Sequence, residues 1–277
     1  MSPNPPEFIS ADVLAYRHRR ARHQRHARLT VVLAALCTAL LPAAAPHASA
    51  ATHKDLFGNR LYVVNSGSGT VSVIDTNSNT VVGSPIPVGT TPAQVATDTL
   101  RGRAYVTNFD SNSVSVIDTH TNTVGSPIAV GNFPVGVATD TLRGRAYVAS
   151  GGSNSVSVIN TNTNTVVGSP ITVGTEPVGV ATDALRGRAY VTNGGSNTVS
   201  VIDTNTNNVV GSPIPVGNFP LGVATDTLRG RAYVTNRDSN TVSVIDTNTN
   251  TVVGTPIPVG NNPWGVALGK PLQSANH

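Results

Sequence analysis

Tyrosine recurs at Tyr62, Tyr105, Tyr147, Tyr190 and Tyr233, with spacings of 43, 42, 43 and 43 residues. Around each copy the chain repeats nearly the same words: "RAYVTN" or a close variant, then "VSVID", then "GSPIPVG". Self-similarity at a period of about 40–50 residues, with side chains alternating as in strands, points to the blades of a β-propeller. The one short spacing has a visible cause, because "TNTVGSP" at 121–127 lacks a valine of "TNTVVGSP" at 163–170.

Each unit divides into four extended segments. In the unit that begins at Pro134 they read "PVGVATD", "RAYVAS", "SVSVIN" and "TVVGSPITVG". The second and third alternate apolar and polar residues and are rich in Val, Ile and Tyr, which suits strands. Turn-forming "TLRG", "GGSN" and "TNTN" separate them. The expected fold is therefore all-β, a β-propeller of four-stranded antiparallel blades with no helix in the repeats. The first unit, "GNRLYVVN" onward, lacks a first strand, and "NNPWGVALG" at 261–269 is a first strand with nothing after it. Five blades are expected, with this C-terminal strand completing the first blade and the closed ring a monomer; the alternative is an open array, part of a larger propeller completed by another chain.

Within a blade, small residues of "GVATD" suit the crowded strand nearest the axis, and the tyrosine, one strand out, can fill the widening wedge between blades. Asp98, Asp140, Asp183 and Asp226 precede the arginine pairs 101/103, 143/145, 186/188 and 229/231 across a tight turn. They read as turn caps and surface ion pairs of small individual value. The "DTNTN" runs at Asp203 and Asp246, with "DTNSN" at Asp75 and "NTNTN" at Asn160, offer alternating oxygens that a calcium ion could use. Asx-turns explain them without a metal, and no metal or cofactor is expected.

"YVTN" at 105–108, 190–193 and 233–236, with "SNTVSVIDT", "VVGSPIPVG" and "P-x-G-V-A", resembles the YVTN-repeat β-propellers of secreted and surface-layer bacterial and archaeal proteins. The resemblance covers residues 58–268. It implies a propeller usually described as seven-bladed, where this chain offers five units. Related propellers include lactonase-like and quinoprotein-like enzymes, and no catalytic motif of either can be carried onto this sequence.

The region before the repeats reads as a secretory leader. Arg17, Arg19, Arg20, Arg22, Arg25 and Arg28 precede the apolar run "LTVVLAALCTALL" at 29–41, and Ala48-Ser49-Ala50 has the form of a cleavage site. The run is too short to span a bilayer as a helix. The expected organisation is a signal peptide over 1–50, a short segment at 51–57, the propeller at 58–269 and a tail at 270–277. The product would be secreted or held at the cell surface, with no stable transmembrane anchor. Residues 51–277 carry twelve Lys plus Arg and twelve Asp plus Glu, so no net field draws nucleic acid. Cys37, the only cysteine, leaves with the leader, so no disulfide is expected.

Because the units are near copies, their differences carry the functional information. "DTLRGR" and "DTNTN", on one face of the blades, hardly change. The loops of the opposite face vary: "NSGSGT", "NFDSNS", "SGGSNS", "NGGSNT" and "NRDSNT" in one set, "GTTPAQ", "GNFPVG", "GTEPVG", "GNFPLG" and "GNNPWG" in the other. Beyond the repeated tyrosines, the aromatics of the mature chain are Phe57, Phe109, Phe133, Phe219 and Trp264, and the last four stand in these loops. The candidate contacts are Phe109, Asp110, Phe133, Glu176, Phe219, Arg237, Asp238 and Trp264. The alternative is that they plug the channel mouth.

Catalytic material is scarce. His53, His120 and His277 form no triad or metal-spaced cluster, and Glu176 is the only glutamate after the leader. The expected function is non-enzymatic binding of a protein or cell-envelope glycan. A lactonase-like or other hydrolase pairing Glu176 with Asp110 or Asp238, or a purely structural surface protein, are the alternatives.

Overall fold

The computed structural model describes residues 60–269. The leader expected over 1–50, the segment 51–57 and the tail 270–277 lie outside the described residues. Among the described residues no helix is long and apolar enough to cross a membrane.

Five antiparallel sheets follow one another along the chain as the blades of a β-propeller. Blade one holds Arg60–Asn65 and Thr70–Asp75, with short outer pairings at Thr80–Val81 and Ile86–Pro87. Blade two runs Pro92–Asp98, Arg103–Asn108, Ser113–Asp118 and Ile128–Ala129. Blades three, four and five begin with the inner strands Pro134–Asp140, Pro177–Asp183 and Pro220–Asp226. Their second strands are Arg145–Ser150, Arg188–Asn193 and Arg231–Asn236, and their third strands Ser155–Asn160, Thr198–Asp203 and Thr241–Asp246.

The fourth segment differs from the single strand expected. In blade three Thr165–Val166 and Ile171–Thr172 both pair with the third strand, at its two ends. Gly168, at φ 67°, turns the chain between them, and Pro170 cannot donate to a ladder. Blade two, one valine short, keeps only an isolated bridge between Ile117 and Val124 in place of the first of these pairings.

Alternation along the second and third strands gives each blade two apolar faces, and these bury against its neighbours. Tyr105, Val114, Val116 and Ile128 of blade two meet Ala146, Val148 and Ile159 of blade three. Tyr190, Val199, Val201 and Ile214 of blade four meet Ala232, Val234 and Ile245 of blade five. A large ring on one side therefore faces an alanine on the other, and the strict recurrence of both is a packing requirement.

Polar groups lock the same seams. The Tyr105, Tyr147 and Tyr190 hydroxyls donate to Oδ1 of Asn164, Asn207 and Asn250 on the following blade, at 2.9, 3.1 and 2.7 Å. Each of these asparagines holds φ 57°, a left-handed turn position that asparagine tolerates well. Asp203 Oδ1 accepts the backbone N–H of Asn205 and Thr206, and Asn160 does the same for Asn162 and Thr163. In "NTNTN" at 160–164 the first side chain thus makes the Asx-turn, the third receives Arg101 Nε at 2.6 Å and the fifth receives Tyr105.

The aspartate–arginine pairs differ from expectation. Asp98, Asp140 and Asp183 are fully buried. Arg186 Nη1 meets Asp183 at 3.0 Å, while its Nε donates to Asn248 Oδ1 and its Nη1 to the Thr227 carbonyl, both on blade five. Arg101 and Arg143 repeat the arrangement toward blades three and four. Placing the arginine over a buried carboxylate turns a surface ion pair into a seam between blades.

Near the axis the small residues are needed for contact. A Cβ at Gly136 would run into the carbonyl of Val178, and one at Gly179 into that of Leu221. Thr139, Thr182 and Thr225 hydroxyls donate to the carbonyls of Thr97, Thr139 and Thr182 on the preceding inner strands, at 2.8, 3.0 and 2.8 Å. From the second strand, Thr107 and Thr192 hydroxyls donate outward to Val135 O and Leu221 O on the next blade, at 2.8 and 2.7 Å. Blade three has Ala149 at this position. Ala149→Thr is expected to add the missing bond to Val178 O and to raise the urea midpoint by the equivalent of about 1 kcal/mol. A lowered midpoint would mean that the site is already filled.

The last described segment continues the pattern on one side. Thr235 Oγ1 donates to Trp264 O at 3.0 Å, as Thr192 does to Leu221 O, so Pro263–Ala267 runs where the inner strand after blade five belongs. Its expected pairing with Arg60–Asn65 is not among the ladders of the described residues, in which that strand pairs with Thr70–Asp75 alone.

Candidate functional site

The variable loops share one rigid device. Thr91, Phe133, Glu176, Phe219 and Asn262 each precede a proline and hold φ of 50, 53, 52, 49 and 52°. This left-handed backbone is unfavourable for bulky side chains and costs on the order of 1–3 kcal/mol wherever it is held. Among the described residues two hydrogen bonds hold it at Phe133, Glu176 and Phe219, and one at each of Thr91 and Asn262. The N–H groups of Phe133, Glu176, Phe219 and Asn262 donate to Oδ1 of Asn112, Asn154, Asn197 and Asn240 at 2.8–2.9 Å. The carbonyls of Thr91, Phe133, Glu176 and Phe219 accept from the N–H of Phe109, Gly151, Gly194 and Arg237 at 2.9–3.1 Å. A fixed backbone thus presents Thr, Phe, Glu, Phe and Asn at five equivalent places.

Around these positions the side chains group in two sets. Phe133 of blade three stacks on Phe109 of blade two, with centroids 5.0 Å apart and planes at 24°, and Phe109 is buried beneath it. On blade five, the Arg237 guanidinium lies 3.9 Å over the Phe219 ring, a cation–π contact, and also bonds Asp238 through Nε at 2.7 Å and Nη2 at 3.0 Å. Asp110 Oδ2 accepts the Thr91 hydroxyl at 2.6 Å.

Glu176 stands on blade four, between the two aromatic groups in blade order, and its carboxyl end lies against Gly195. Trp264 belongs to the segment after blade five, at the place of Leu221. It is half exposed where Leu221 is buried.

Of the eight predicted contacts, the structure joins Phe109 with Phe133 and Phe219 with Arg237 and Asp238, seats Asp110 on the Thr91 hydroxyl, and places Glu176 against Gly195 and Trp264 on the segment after blade five. Sequence reasoning missed the glycines on which the rings lie. A Cβ at Gly152 would meet the Phe133 ring, and one at Gly194 would come within 3.6 Å of Phe219. The signal was present: "GG" occurs in the loops of blades three and four only, beside a phenylalanine of the same or the next blade. The Thr91 backbone clamp and the asparagines that hold the others were also missed.

The group available to chemistry is modest. Among the described residues no cluster of three or more His, Cys, Asp or Glu side chains could hold a metal ion. What the face can do is offer flat apolar rings beside carboxylates and a guanidinium on an immobile backbone, which suits recognition.

A protein-family model described as a YNCE-like β-propeller matches residues 77–270. The hydrazine synthase of Kuenenia stuttgartiensis is similar in structure, with a TM-score of 0.54 and 18% identity over 80% of this chain and 92% of its own. A protein of unknown function from Desulfotomaculum acetoxidans DSM 771 has a TM-score of 0.67 and 17% identity, over 76% of this chain and 69% of its own. No curated protein matches the chain. At such identities the two structures speak to the fold alone.

Proposed function

The chain belongs to the YNCE-like β-propeller family, and from that premise we propose that it is an exported, non-enzymatic propeller of the YVTN-repeat type that holds a protein or cell-envelope glycan on its variable loop face. The observation that carries this reading is the clamped pre-proline position. Five copies of one strained backbone are kept, at a cost in stability, while their side chains diverge to Thr91, Phe133, Glu176, Phe219 and Asn262. A plug for the channel would call for repeated apolar groups, not for this divergence.

The carboxylates support binding over hydrolysis. Asp238 is engaged by Arg237 and Asp110 by Thr91, so neither stands ready as the partner of Glu176 in a two-carboxylate site.

Affinity electrophoresis through gels containing cell-envelope polysaccharide tests the proposal. The protein is expected to be retarded, and Phe133→Ala combined with Phe219→Ala to lose at least about tenfold in affinity, since stacked aromatic anchors carry most of such energy. Retardation unchanged in that variant, with its circular dichroism intact, would move the site off this face.

A further inference from the structure

The two ends of the blade array carry the two halves of an interface that the chain builds four times within itself. Between blades one and two, Tyr62, Val71, Val73 and Ile86 meet Ala104, Val106 and Ile117. The same seven positions recur at the next three seams. By the repeat, blade five presents Tyr233, Val242, Val244 and Ile257 as a further first half, and blade one presents Leu61, Val63 and Ile74 as a further second half.

Neither half is buried as its counterparts are. Ile257 is 47% exposed where its counterpart Ile214 is 6%, and Leu61 is 51% and Val63 37% exposed where Ala104 and Val106 are fully buried. Tyr233, Val242, Val244 and Ile74 are half-buried, where Tyr190, Val199, Val201 and Ile117 are fully so.

The backbone shows the same complementarity. Arg60–Asn65 pairs on one edge with Thr70–Asp75, and the described residues give it no inner strand. At the other end, Pro263–Ala267 lies as an inner strand beside blade five, held by the Thr235 hydroxyl. In blades two, four and five the register sets Val95, Val180 and Val223 opposite Val106, Val191 and Val234, with Ala96, Ala181 and Ala224 opposite the tyrosines. The equivalent pairs at the ends are Val266 with Val63 and Ala267 with Tyr62.

We propose that a second copy of this chain covers these surfaces, head to tail. Pro263–Ala267 of one copy adds to the edge of Arg60–Asn65 in the next, and the face of Tyr233, Val242, Val244 and Ile257 packs on Leu61, Val63 and Ile74. Strand addition sets the register, and the apolar faces supply the stability. The contact is heterologous, so copies add one after another, into a ring where the rotation closes and into a filament where it does not. The argument for a second copy is that the chain already shows, at four seams, that these two faces fit one another, while at the ends of the array Leu61, Val63 and Ile257 stand exposed and the other four residues are only half-buried.

Sedimentation velocity of the full chain, with Leu61→Arg to block the head and Ile257→Arg to block the tail, tests this. The parent chain is expected to gain mass as its concentration rises, and each variant alone to stay monomeric. An equimolar mixture of the two variants should form a one-to-one dimer, twice the monomer mass and nothing larger, because one intact head and one intact tail remain. If Ile257→Arg does not fold, Ala267→Pro blocks the tail instead by removing the N–H that faces the Arg60–Asn65 edge, since the N–H at the Val266 position points to the preceding blade, as Val137 N–H does to Gln94 Oε1. A parent chain that stays monomeric at every concentration, or variants that still self-associate alone, would overturn the proposal.

Discussion

Replacing Arg186 with alanine is expected to lower the unfolding free energy by about 3–5 kcal/mol, the loss typical when one partner of a buried ion pair is removed. The carboxylate it leaves behind, Asp183, is fully buried and keeps only the Arg186 N–H and the Thr247 hydroxyl among its described partners. The same substitution removes the bonds to Asn248 and to Thr227 O, so the seam between blades four and five loosens as well.

Arg229 supplies the control inside the same molecule. It pairs with Asp226 at 2.9 Å, but its side chain is 71% exposed against 26% for Arg186. Asp226 is held below the usual carboxylate range first by the Arg229 backbone N–H, which alanine would keep, and then by the guanidinium. Asp226 is itself buried, but its guanidinium partner lies in solvent and makes no described bond to another blade, so Arg229→Ala should cost clearly less than Arg186→Ala. Urea unfolding of the two variants at neutral pH decides it. Equal losses would mean that the cross-blade bonds of Arg186 contribute nothing.

That difference between two copies of one motif also marks how far the sequence could be read. The blades were legible because their pattern is local: "RAYVTN" and "SVSVID" alternate with period two, and turn residues punctuate them. The surroundings of Asp183 were not legible, because the Thr247 hydroxyl that it accepts and the Asn248 and Thr227 partners of its arginine lie on the next blade. Tyr105 and Asn164 are 59 residues apart, and Arg101 and Asn162 are 61 apart, so neither pairing shows in a local window. The period itself holds the key, since each separation is one repeat plus the distance from second strand to the following turn. For the loop face, the aromatic positions were visible as departures from the repeat. Their grouping was not, because the seats for Phe133 and Phe219 are glycines, which read as ordinary turn residues. The divided fourth strand was missed because "VVGSPI" looks continuous in apolar content until Gly168 is given its positive φ.

Raising the pH from 10 to 12 is expected to unfold the domain in one cooperative step. Burial pushes the phenols of Tyr105, Tyr147 and Tyr190 up from 10.0 to about 12. An unfolded tyrosine ionises near 10. Over this interval the unfolded chain has released protons that the folded chain still holds, so stability is complete below pH 10 and falls as the pH rises toward 12. Two pKa units correspond to about 2.7 kcal/mol for each ring and about 8 kcal/mol for three, most of it lost by pH 12, which is comparable to the whole stability of an ordinary domain. Lysine cannot account for the loss, because Lys54 and Lys270 are the only lysines of the chain. The measurement is a parallel titration of tyrosinate absorbance and of the far-ultraviolet sheet signal. The two should change together, with most tyrosinate formed in the step in which the sheet is lost. Phenols that titrate gradually near pH 10 while the sheet signal persists would mean that the hydroxyls reach water in the folded protein, and that the bonds to Asn164, Asn207 and Asn250 do not seal the seams.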